Sequence, residues 1–128
     1  MQTDRAEQLA VVEKFLAAIS TGDMQGLMDV LAPDVVAIAD GGGVMPALRR
    51  PVIGAEKLAA MLVPRVAEFP GFVATTAWLN GMPGARLDFD GIAAAMSLVV
   101  EDGRITRIYA INNPHKLGSL EQESELRR

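Results

Sequence analysis

Residues 72–111 read FVATTAWLNGMPGARLDFDGIAAAMSLVVEDGRITRIYAI, and this stretch decides the fold. It breaks at Asn80-Gly81, Asp90-Gly91 and Asp102-Gly103. Each pair is a hairpin-turn signal, because a two-residue turn needs positive φ and these residues tolerate it. Between the breaks, Phe72 to Leu79, Ala85 to Phe89, Ile92 to Val100 and Ile105 to Ile111 have the composition of strands. The expectation is an antiparallel meander built from the last three or four strands.

The upstream half has a different period. Leu9, Val12, Phe15, Leu16 and Ile19 recur at three- and four-residue steps between Glu7, Glu13 and Lys14, which predicts an amphipathic helix over 4–20. Ser20-Thr21-Gly22-Asp23 stops it, with Asp23 or Thr21 available to cap a second, short helix from Met24 to Leu31. Pro33 ends that helix, Asp34 begins extended chain, and Val35 to Ala39 is β-rich. An irregular stretch through Pro46 and Pro51 leads to a third helix over 55–68, carrying Leu58, Met61, Leu62 and Val66 on one face. Pro64 within it predicts a kink or an earlier end. The order helix, helix, strand, helix, then strands gives the α+β class, with helices on one face of a curved sheet.

Composition limits the chemistry. The chain has 128 residues, half of them hydrophobic and 22% charged, which suits one domain with a buried core. Its mean hydropathy is +0.23, but no apolar run approaches the ~20 residues of a membrane span. Met1-Gln2-Thr3-Asp4-Arg5 shows no basic stretch leading into an apolar core, so no secretory signal is expected and the cytoplasm is the expected compartment. There is no cysteine and one histidine, His115, which excludes disulfides and thiolate chemistry and leaves few metal ligands. No cofactor is expected. A net charge of −4 with a pI near 4.9 argues against this domain gripping a nucleic-acid backbone by itself.

Three features carry a family resemblance. The opening runs from a helix through Gly22-Asp23 to Leu31-Ala32-Pro33-Asp34-Val35-Val36; Asp40-Gly41-Gly42-Gly43 follows the first strand; Asn113-Pro114-His115-Lys116-Leu117 follows the last. With Asn80-Gly81-Met82-Pro83-Gly84 and Asp102-Gly103-Arg104-Ile105 between them, the set resembles the SnoaL-like domain, of the NTF2-like superfamily, at the C-terminus of sigma-J-type extracytoplasmic-function RNA polymerase sigma factors. The family pattern is DGGG and NPDKL; His115 stands where the family has an acid. The resemblance covers about residues 4–120 and implies an NTF2-like cone, three helices packed on a strongly curved, mainly antiparallel sheet. The domain is taken as residues 1–120, with 121–128 as a polar tail. It further implies a regulator of transcription initiation that contacts the sigma core domains of the same polypeptide and, through them, RNA polymerase. Those sigma domains are absent from this sequence, so the chain reads as part of a longer protein. Partner-contacting residues on this reading are Asp40, Gly41, Gly42, Gly43, Asn113, Pro114, His115, Lys116 and Leu117.

The residues also admit other readings. Asp40 or Asp88 could act as a general base in an isomerase or cyclase of this superfamily, where the resemblance places a carboxylate near the pocket mouth. Such isomerases draw an oxyanion donor from a Tyr on the first helix, where this chain offers Phe15. The simpler reading of Asp40 is a turn, with glycines following because the backbone needs positive φ. Gly41-Gly42-Gly43 lacks the Lys-Ser/Thr helix of a phosphate loop. Arg86, Asp88 and Asp90 alternate on one strand face and Leu87 and Phe89 on the other. Arg86 and Asp88 are either pocket groups or solvated positions; Asp90 belongs to the turn. Trp78 and Tyr109 are either pocket walls with a polar handle or core rings with an exposed edge. Met61 and Met96 read as core fillers. A stand-alone dimer that binds a small apolar ligand is a third option.

Overall fold

A computed structural model describes residues 4–40, 50–79 and 81–111. Among them are three helices, α1 (Arg5–Thr21), α2 (Met24–Val30) and α3 (Ala55–Ala67). The strands are β1 (Leu31–Asp40), β2 (Val52–Ile53), β3 (Val73–Leu79), β4 (Met82–Phe89), β5 (Ile92–Glu101) and β6 (Arg104–Ile111).

Local chemistry accounts for the helix ends. The Asp4 carboxylate accepts from the Glu7 amide at 2.9 Å and starts α1. Gly22 ends it in the left-handed conformation at φ 74. Asp23 caps α2 by accepting from the Gly26 amide at 2.9 Å, while the Thr21 hydroxyl donates back to the Ala17 carbonyl instead. α2 stops one residue before Leu31, which is already extended at φ −95, ψ 135. Extended chain therefore begins at Leu31 rather than Asp34, and Pro33 lies inside β1, exposed, where the register with its neighbour shifts between Leu31 and Val36. A proline is tolerated there because a bulged, solvent-facing position needs no ladder amide. α3 runs past Pro64 to Ala67.

The six strands form one sheet in the order β2-β1-β6-β5-β4-β3. The meander from β3 to β6 is antiparallel, turned at Asp90-Gly91 and Asp102-Gly103, where both residues of each pair have positive φ as a type I′ turn requires. β1 lies parallel to β6 and β2 antiparallel to β1. The helices cover one face. Val12, Phe15, Leu27, Leu58 and Leu62 pack there against Ala37, Ala85, Leu87, Met96, Leu98 and Ile108. Phe69 and Phe72 meet the buried Phe89 ring at 5.1 and 5.0 Å between centroids and close one end of the core. Met96 is buried in that core and Met61 packs on its margin.

Candidate functional site

Along β4 and β5 the pairing runs from Phe89↔Ile92 to Gly84↔Ser97 and goes no further. β5 continues to Glu101 against β6, while β4 continues back to Met82 against β3. The two hairpins therefore splay beyond Gly84. Hydrogen-bond parity explains where. Leu79↔Met82 closes the β3–β4 hairpin, so the Met82 amide faces β3 and position 83 faces β5. That position is Pro83, which has no amide to donate. Gly84↔Ser97 is a rung without bonds of its own, held by those of the flanking residues, so the Pro83 carbonyl still accepts from the Leu98 amide and the ladder stops at the missing Pro83 amide.

The splay opens a cleft of about 680 Å³. Gly81, Met82 and Pro83 line one wall, Leu98, Val99 and Val100 the other, with Trp78 and Gln8 toward α1 and Glu101 and Asp102 at the rim. Trp78 is half-buried, and the guanidinium of Arg5, in the first turn of α1, stands over its ring at 4.3 Å from the centroid. The Thr106 hydroxyl donates to Glu101 Oε1 at 2.9 Å. The cleft carries two exposed acids, Glu101 and Asp102, at its edge.

The sequence-predicted pocket group divides. Trp78 lines the cleft. Arg86, Asp88 and Tyr109 do not, because the inward positions of their strands are taken by Ala85, Leu87 and Phe89 on β4 and by Ile108 and Ala110 on β6. Asp88 is exposed, and its carboxylate accepts from the Gly91 amide at 2.5 Å as part of the turn. Asp90 likewise binds the Gly71 amide at 2.8 Å. Tyr109 is 39% exposed and pairs with Ser97 and Ile38. Phe15 is fully buried in the core. Among the described residues, no three His, Cys, Asp or Glu side chains gather in a way that could hold a metal ion.

Gly41, Gly42 and Gly43, and the run from Asn113 to Leu117, lie outside the described residues, but their points of origin do not. β1 ends at Asp40 and β6 at Ile111, and these two residues are partners in the parallel ladder. Both motifs therefore leave from neighbouring strand ends, at the end of β6 away from the cleft. Sequence reasoning missed the cleft residues Gln8, Pro83, Leu98, Val100, Glu101 and Asp102. The available signal was Pro83, a residue without an amide just after a hairpin turn.

No protein-family model matches the chain. Over 120 residues it is 30% identical to the ECF RNA polymerase sigma factor SigJ of Mycobacterium tuberculosis, an alignment covering 83% of this chain and 38% of that protein. The crystal structure of M. tuberculosis SigJ superposes with a TM-score of 0.73 at 26% identity, covering 89% of this chain and 44% of SigJ. An NTF2-like protein from Burkholderia xenovorans superposes with a TM-score of 0.64 over 93% of this chain, a likeness of fold at 18% identity. The fold is that of the NTF2-like proteins, three helices on a six-stranded, mostly antiparallel sheet. Its homologues are ECF sigma factors, and the chain fits the SnoaL-like domain of a SigJ-type sigma factor. It spans well under half the length of those sigma factors. No helix among the described residues is long and apolar enough to cross a membrane.

Proposed function

We propose that this domain regulates transcription initiation in the cytoplasm, as the C-terminal part of an extracytoplasmic-function sigma factor, by contacting the sigma core domains of its own polypeptide. The observation that carries the reading is the parallel pairing of Asp40 with Ile111. Adjacent parallel strands leave a sheet on the same edge, so the segments beginning at Asp40 and after Ile111 start about one strand spacing apart, ~5 Å. Residues Asp40 to Gly43 and Asn113 to Leu117 then serve as one bipartite contact rather than two unrelated loops. Contact of this kind shifts the sigma domains between competent and inhibited arrangements only if it binds the two with different affinity.

The isomerase reading has less support. Asp88 is an exposed residue near the end of β4 whose carboxylate accepts from the turn amide of Gly91, and the first-helix position that would supply an oxyanion donor is a buried phenylalanine. The test is transcription in vitro with RNA polymerase and the whole polypeptide that carries this domain. Gly42→Trp, Lys116→Ala and the two combined are compared with the parent. A bipartite contact predicts that each single variant changes promoter output and that the double variant adds little to the larger single effect. Output unchanged in all three refutes the reading.

A further inference from the structure

We infer that the outer edge of β3, with the groove between it and α1, is the interface of a homodimer, in which β3 of a second copy adds antiparallel across a twofold axis. The inference is independent of the regulatory reading, since β5 and β4 lie between β3 and the strand ends from which the two motif segments leave.

The first ground is the edge itself. The sheet ends at β2 on one side and at β3 on the other. β2 is only two residues long, and a very short edge strand is one of the ways a sheet avoids pairing with another chain. β3 has seven residues, Val73–Leu79, in unbroken register with β4. Its sequence, VATTAWL, has no charge, proline or glycine, so it carries none of the devices that blunt an edge. Leu79↔Met82 closes the hairpin and exchanges both bonds, so the backbones of Val73, Thr75, Ala77 and Leu79 are turned to β4. The amides and carbonyls of Ala74, Thr76 and Trp78 are turned the other way, where no described strand pairs with them. None of these three residues is buried, and Val73 and Thr75 beside them are exposed.

The second ground is that the edge complements itself. A twofold axis through Thr76 sets Thr76 opposite its counterpart and Ala74 opposite Trp78 of the second copy, each pair able to exchange two N–H···O bonds. The largest side chain of the strand thus meets a small one on the face that α1 flanks. Beside Ala74 and Thr76 lies a groove of about 400 Å³ whose other wall is Glu13, Leu16, Ala17 and Ser20 of α1. Trp78 of the second copy arrives at this groove, and with it the Arg5 guanidinium, 4.3 Å from the ring centroid. That cation then enters the groove lined by the exposed Glu13 carboxylate. Among the described residues, neither Arg5 nor Glu13 has an ion-pair partner within its own copy. The twofold repeats the match, Arg5 toward Glu13 in each direction, and this self-complementarity of strand, ring and charge selects a second copy as the occupant.

The test follows the intact chain by sedimentation equilibrium over roughly 1–500 μM, a range that brackets dissociation constants around the micromolar level. The mass should rise from 13.6 kDa toward twice that value. Hydrogen exchange read by NMR locates the interface. The amides of Ala74, Thr76 and Trp78 should slow by about tenfold or more between the two ends of the range, while those of β2 stay constant. Thr76→Pro removes the central outward amide at a position where an edge strand tolerates proline. It should weaken dimerisation at least about tenfold, with the circular dichroism spectrum unchanged. Glu13→Arg should weaken it to a similar degree by opposing Arg5, and combining Glu13→Arg with Arg5→Glu should recover most of the loss. The charge variants keep the test decisive should Thr76→Pro disturb the fold. Tyr109→Glu, on the sheet face away from the helices, should leave the dimer intact. The inference is overturned if the chain stays at 13.6 kDa throughout, or if the three edge amides ignore concentration. It is equally overturned if Tyr109→Glu disperses the dimer while Glu13→Arg does not, or if the charge swap recovers nothing.

Discussion

Gly84→Ala tests how closely β4 and β5 approach at the last rung they share. Gly84 pairs with Ser97 at the last rung shared by β4 and β5. A Cβ built on Gly84 falls onto the Met96 carbonyl oxygen and stands 3.2 Å from the Met96 carbonyl carbon and 3.3 Å from the Ser97 Cα. All three atoms are backbone of a central strand, so no side chain can turn aside to relieve the clash. The strands must move apart, as they do when extra volume is forced into a packed core, at a cost of ~1–3 kcal/mol. With a urea m-value of about 2 kcal/mol per M, the unfolding midpoint should fall by roughly 1 M. Gly26→Ala is the internal comparison. Its Cβ meets the end of the Asp23 side chain at 2.6 Å. That carboxylate can swing away at some loss of the α2 cap, while alanine gains ~1 kcal/mol of helix propensity over glycine. The net change should be small. Urea unfolding followed by circular dichroism, with equal m-values for all three proteins, gives the comparison. If Gly84→Ala lies within ~0.5 kcal/mol of the parent, the close approach of β4 to β5 is not the reason for glycine at that rung.

Phe89→Ala removes the ring on which Phe69 and Phe72 converge and should cost ~3–5 kcal/mol, read as a fall in the urea midpoint larger than that of Gly84→Ala; a smaller loss would mean the aromatic end of the core collapses freely. Arg5→Ala takes the guanidinium off Trp78 and should cost only ~0.5–1 kcal/mol while shifting the emission of the sole tryptophan; unchanged emission would show that the stacking does not persist in solution.

The sequence alone determined the local parts of this protein. Asp90-Gly91 and Asp102-Gly103 place both hairpin turns, because positive φ is a property of those residues wherever they sit. Asp4, Gly22 and Asp23 mark helix ends, because caps are satisfied by neighbours three or four residues away. The DGGG and NPHKL strings were legible only through the family resemblance. The tertiary structure decided what depends on partners distant in the chain. Alternation along β4 showed that Arg86 and Asp88 share a face but not which face the helices would cover; α1 and α3 settled that by packing over Leu87 and Phe89. Nothing in the 31–40 or 104–111 segments announces that β1 lies parallel to β6, since parallel pairing is set by how the chain crosses between the strands. The cleft depends on both levels. Pro83 withholds one amide, a local fact. That this ends the ladder between β4 and β5 follows only from the position of β5 beside it, set by the Gly84↔Ser97 rung and by the core beneath.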